Sequence, residues 1–113
     1  MKVDINRGWF ETVICSARKG QDARLRRTLE ARATLRQRQE GCRASWVSRS
    51  LDGQPMFLIQ SWFNDEDAWR TISEHVEKTL GPHDALESLL AGPPLVGAFE
   101  GPIMPLEEHH RDA

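Results

Sequence analysis

The sequence predicts an α+β domain in which one antiparallel sheet carries helices on one face, in the ferredoxin-like βαββαβ order. Three observations lead there. The segments alternate as strand, helix, two strands, helix, strand; an Asp52-Gly53 pair between two strand-like runs marks a hairpin; and Asn64, followed by three acids, opens a helix directly after the third strand. Two interleaved right-handed βαβ units satisfy that order and place the third strand between the first and the second.

Trp9 to Ser16 is aromatic, β-branched and mostly apolar, and it ends at the Lys19-Gly20 turn, so it reads as the first strand. Residues 21–39 hold no Gly or Pro, and Ala23, Leu25, Leu29, Ala33 and Leu35 give a thin apolar stripe before Gly41: a well-solvated amphipathic helix. From Cys42 to Arg49 the residues alternate, sending Cys42, Ala44, Trp46 and Ser48 to one face of an edge strand. Pro55 stands where the third strand starts, a position that tolerates a missing N–H, and Met56 to Phe63 is its body. Asn64 serves as N-cap of the second helix, with Ala68, Trp69, Ile72, Val76 and Leu80 at helical spacing. Gly81-Pro82 breaks and restarts the helix, and Ala85, Leu86, Leu89 and Leu90 form a stripe ended by Gly92. Leu95 to Phe99 is a short last strand.

At 113 residues the chain fits one domain, with a core over about 9–100 and a tail over 101–113 that is either a frayed end or an arm on a partner. No window approaches the ~20 apolar residues of a membrane helix, and the start of the chain lacks the apolar core of a signal peptide. Membrane association is therefore not expected. Cys15 and Cys42 fall in strands that the ferredoxin-like order does not make neighbours, so both are expected as free thiols in a reducing cytoplasm. Charge is unevenly distributed: residues 18–49 carry ten Lys/Arg against three acids, and residues 50–113 carry three against twelve. No aromatic residue interrupts 18–43, so the basic helix lacks a stacking platform, and nucleic acid is not the expected partner. The basic face is instead expected to be offset by acidic neighbours or a second subunit.

G-x-G-x-x-G, Walker, C-x-x-C and G-x-S-x-G patterns are absent, which removes the starting residues of nucleotide, zinc-ribbon and esterase sites. His75 and His83 stand among acids, but a helix break separates them, so no metal site is expected. His109 and His110 belong to the tail. What remains is Met56 to His75, where a strand hands two tryptophans and a histidine to a helix. The expectation is that any small-molecule pocket is lined by this segment, with its Trp62, Trp69 and His75. Apolar residues on both faces of the strands imply that the sheet face without helices is covered by a second copy in a homodimer.

The run Phe57-Leu58-Ile59-Gln60-Ser61-Trp62-Phe63-Asn64-Asp65-Glu66-Asp67-Ala68-Trp69, with Glu40-Gly41-Cys42 before it and His75 after it, resembles the antibiotic biosynthesis monooxygenase family of dimeric α/β barrels. The likeness spans roughly Trp9 to Phe99. It departs at Gln60, where the family often carries Glu, and at Thr71 or Ile72, where a first helix His commonly lies. The resemblance implies a pocket between sheet and helices in which an electron-rich aromatic or quinol-like molecule is oxygenated without metal or flavin. A dry enclosure and one or two proton-handling groups would be the protein's part, the pocket being lined by Gln60, Trp62, Trp69, Ile72 and His83 with His75 as the candidate base, since histidine titrates near neutrality. Some relatives bind haem, which makes His75 or His83 the alternative axial ligand, although Val13 and Ile14 stand where the haem-degrading relatives need Asn. A non-catalytic dimer that binds haem or a hydrophobic metabolite, or an accessory interaction protein, are the other readings.

Overall fold

The structure is a computed structural model in which residues 7–102 are described; of the expected tail over 101–113, all but Gly101 and Pro102, including Ile103, Met104, His109 and His110, lies outside them. The elements are β1 (Arg7–Ser16), α1 (Asp22–Gln37), β2 (Cys42–Arg49), β3 (Met56–Phe63), α2 (Glu66–Thr79), α3 (Gly81–Asp84), α4 (Leu86–Leu89) and β4 (Leu95–Pro102). The sheet runs β2-β3-β1-β4 with every neighbouring pair antiparallel, so β3 lies between β1 and β2 as the ferredoxin-like order requires.

The two sheet faces separate by residue parity. Along β3, Phe57, Ile59, Ser61 and Phe63 are buried under the helices, while Met56, Leu58, Gln60 and Trp62 point to the opposite face. Register extends this across the sheet, because residues directly opposite one another share a face. Trp9, Glu11, Val13 and Cys15 pair with Phe63, Ser61, Ile59 and Phe57 and therefore join the helix side. In β2 a bulge between Cys42 and Ala44 breaks the simple alternation. Cys42 consequently lies on the helix side with Ser45 and Val47, not with Ala44, Trp46 and Ser48.

Two clusters form the core. Leu25 and Leu29 of α1 pack with Cys15, Phe57, Ile59 and Leu89, and Phe63, Ile72 and Val76 form a second group flanked by Trp9 and Trp69. Burying a side chain such as Phe63 contributes about 1.5–3 kcal/mol. Gly41 joins α1 to β2 at φ +104, and a Cβ there would lie 3.0 Å from that of Ala68, so glycine is what lets α2 approach the turn.

Three local expectations change. The N-cap of α2 is Asp65, whose carboxylate accepts from the Ala68 N–H at 2.8 Å, and Asn64 instead accepts from Arg43 Nε at 2.8 Å. The restarted helix is two single turns, α3 and α4, divided at Ala85, which adopts the left-handed φ of 50°. β4 continues three residues beyond Phe99 because Glu100, Gly101 and Pro102 pair with Trp9, Gly8 and Arg7.

Candidate functional site

Between the helix side of the sheet and the helices lies a cleft of about 190 Å³. Its apolar wall comes from Val13, Leu29, Ile59, Val76, Leu86 and Val96. Glu11, Arg32, Arg36, Ser73 and Glu77 bring polar groups into it, and Cys15 and Pro94 complete the lining. An amphipathic cavity with a few convergent polar groups is the ordinary form of a small-molecule site, and this volume lies below the roughly 300–1,000 Å³ of drug-sized sites.

The polar groups come from three elements. Arg32 is buried on α1 and donates to Asp84 through Nε at 2.6 Å and Nη2 at 3.1 Å, while its Nη1 reaches Glu77. Desolvation opposes its charge, but the hydrogen bonds it donates to Asp84 and Glu77, with their negative charges, outweigh that and raise its pKa. This fork ties α1 to α2 and α3. Arg36, one turn further along α1, donates to Ser45 Oγ at 3.4 Å. Removal from water is the main influence on Arg36 and lowers its pKa, with the charge of Glu11 acting the other way. Glu11 enters from β1, and its carboxylate accepts from the Trp69 indole N–H at 2.9 Å. Burial keeps the Cys15 thiol protonated beyond its usual range, the nearby charge of Arg32 offsetting this in part.

The residues expected to form one pocket are divided among three environments. Gln60 and Trp62 occupy the sheet face away from the helices, where Trp62 stacks on Phe10 at 4.6 Å. Ile72 is core, packed with Phe63 and Val76. Trp69 alone approaches the cleft, through its bond to Glu11, while its ring packs 5.5 Å from Trp9. His75 is exposed because Ser73, Val76 and Glu77 occupy the cleft-facing side of α2 at i, i+3 and i+4, which turns residue 75 outward. His83 is exposed on α3. Neither histidine lines the cleft, so it offers haem no histidine ligand, and among the described residues no group of three His, Cys, Asp or Glu could hold a metal ion. Among them, too, no helix is long and apolar enough to cross a membrane.

Glu11, Arg32 and Arg36 are the cleft residues that sequence reasoning passed over. Leu25, Leu29, Arg32 and Arg36 follow one helical face at i, i+4, i+7 and i+11, so the apolar stripe of α1 continues as two arginines. Glu11 is a lone acid inside the apolar run of β1. Both were readable signals.

Comparison with known proteins bears on the family and the fold. Residues 14–78 match the model of the antibiotic biosynthesis monooxygenase family. Similar solved structures include a candidate antibiotic biosynthesis monooxygenase from Deinococcus radiodurans, 24% identical, with 82% of this chain and 91% of that one covered at a TM-score of 0.72. A protein of unknown function from Nitrosomonas europaea is 22% identical, covering 91% and 97% at 0.73. A protein from Shewanella oneidensis is 15% identical, covering 91% and 98% at 0.74. At such identities these structures establish the fold alone. No curated protein matches the sequence.

Proposed function

The chain belongs to the antibiotic biosynthesis monooxygenase family, and from that premise we propose that it oxygenates a small electron-rich aromatic or quinol-like molecule held in the cleft between sheet and helices. The observation that carries the reading is Glu11: a half-buried carboxylate oriented by Trp69 in a cavity that sets an apolar wall against a few polar groups. A carboxylate so placed can take a proton from a bound hydroxyl or activated methylene. The resulting carbanion or phenolate is electron-rich enough to reduce dioxygen itself. For an activated methylene the balance closes without another reductant: two C–H bonds break, one oxygen atom becomes a carbonyl and the other leaves with both hydrogens as water. The protein's part is to orient the ring, receive the proton and exclude bulk water.

The protein works as a homodimer in this reading, joined through the sheet face that no helix covers. Trp46, Leu95 and Phe99 are 39%, 68% and 52% exposed there, an apolar surface that a second copy would remove from water. The two free cysteines accord with a reducing cytoplasm.

Oxygen uptake with a panel of quinols and activated methylene compounds tests the activity. Glu11→Gln is expected to lower kcat/KM by about 10²–10⁴-fold; an undiminished rate would remove Glu11 from the chemistry. Loss of uptake in His75→Ala with Glu11→Gln unaffected would move proton transfer to the exposed side of α2.

A further inference from the structure

Two guanidinium groups enter the cleft from one face of α1, and only one of them is neutralised. Arg32 meets the carboxylates of Asp84 and Glu77. Arg36, among the described residues, makes a single hydrogen bond, to the uncharged Ser45 hydroxyl at a distance near the weak limit, and no carboxylate there lies within ion-pair reach of it. Glu11 influences it electrostatically from the same cleft, but the Glu11 carboxylate is engaged by Trp69. A guanidinium cannot shed its proton near neutrality, so a poorly solvated one calls for a counter-charge. The cleft around it is lined by Leu29, Val76 and Ile59, surfaces suited to a ring rather than to a free inorganic ion.

We propose that the cleft selects small aromatic molecules bearing an ionised oxygen, phenolate or carboxylate, and that Arg36 anchors that oxygen through its planar fork. This rests on the reading of the cleft as the substrate site and deepens it: a phenolate is the form able to give an electron to dioxygen, and a carboxylate would serve to fix the ring in place. Arg36 and Glu11 then have complementary tasks. Arg36 holds the ionised oxygen on binding, and Glu11 receives the proton of the reacting hydroxyl or methylene elsewhere on the molecule.

Calorimetric titration of the full chain with 2-hydroxybenzoate and with 2-hydroxybenzamide, nearly isosteric but differing in charge, tests the anchor. The wild-type protein is expected to bind the benzoate at least tenfold more tightly. Arg36→Met should abolish that preference, and Arg36→Lys should keep part of it, since lysine supplies charge without the bidentate fork. Equal affinities in the wild type, or no binding of the benzoate at millimolar concentration, would overturn the proposal. So would a preference that survives in folded Arg36→Met. If that variant does not fold, the wild-type ratio and Arg36→Lys still decide. The two readings fail separately: oxygen uptake without anion preference removes the anchor and keeps the oxygenase, while anion preference without uptake on any substrate does the reverse.

Discussion

Arg32 is 5% exposed, a burial that arginine tolerates only when its donors are satisfied, and here both partners come from outside its own helix. Removing it strands Asp84, whose side chain is 14% exposed, while Glu77 remains in water at 65%. Breaking a buried pair costs about 3–5 kcal/mol, and the solvated partner puts Arg32→Ala near the lower end, at about 3 kcal/mol. Urea unfolding should register this, with Asp84→Asn losing more than Glu77→Gln. Equal losses for the two acids would contradict the assignment of Asp84 as the main partner. The thiols set a different dependence. Cys15 and Cys42 ionise above the ordinary 9.0 in the folded chain, chiefly through desolvation. The unfolded chain therefore releases these protons first as pH rises. Their contribution to stability is intact below about pH 9 and declines above it toward the folded values. Wild type should lose more stability between pH 8 and 10 than Cys15→Ala does, as measured by urea midpoints, and parallel curves would rule the effect out.

The elements show how far sequence patterns reach and where they stop. Apolar, β-branched and aromatic composition located β1 and β3, and alternation located β2, because a strand's burial leaves a direct trace in residue type. It could not reveal the bulge near Cys42, which depends on how β2 registers against β3. Nor could it place the pocket, since counting aromatics along Met56 to His75 ignores that Gln60 and Trp62 face one way and the helices lie the other. The α1 stripe was legible only as far as its apolar residues; its continuation through Arg32 and Arg36 carries the cleft. Two glycine exchanges test the backbone. Gly41→Ala forces a side chain onto φ +104 and against Ala68, which should cost about 2 kcal/mol or more and lower Tm by roughly 10 °C. Ala85→Gly works in the opposite direction. Alanine at φ 50° carries roughly 1–2 kcal/mol of left-handed strain, so glycine should raise Tm slightly even after its greater entropy in the unfolded chain. A fall in Tm would mean that Ala85 is not strained.

For the whole molecule, the asymmetry of charge along the sequence becomes a contact: the basic first helix meets the acidic second half where Arg32 joins Glu77 and Asp84. The ferredoxin-like order was readable because it follows from element sequence and chain handedness, whereas the homodimer proposed for the open face rests on the apolar residues that face exposes and on no contact within one chain. Phe99, Phe10 and Trp62 form an aromatic row across three strands on that face, with ring centroids 5.5 and 4.6 Å apart. A charge in the row should prevent association. Solution mass is expected at twice 12.9 kDa for the wild type at micromolar concentration and near 12.9 kDa for Phe99→Glu; a wild-type mass already near 12.9 kDa would defeat the sheet-to-sheet dimer.

Among the described residues β4 pairs with β1 on one side only, so within them its outer side presents an unpaired backbone edge beside the exposed Leu95, Val96 and Phe99. An apolar edge of that kind can recruit further strands into fibrils. The chain brackets it with Pro93-Pro94 before the strand and Glu100 and Pro102 near its end, residues that lack an N–H or carry charge. Residues of these types at the ends of a strand oppose the addition of further strands, so the chain's own sequence limits how far an apolar edge can grow.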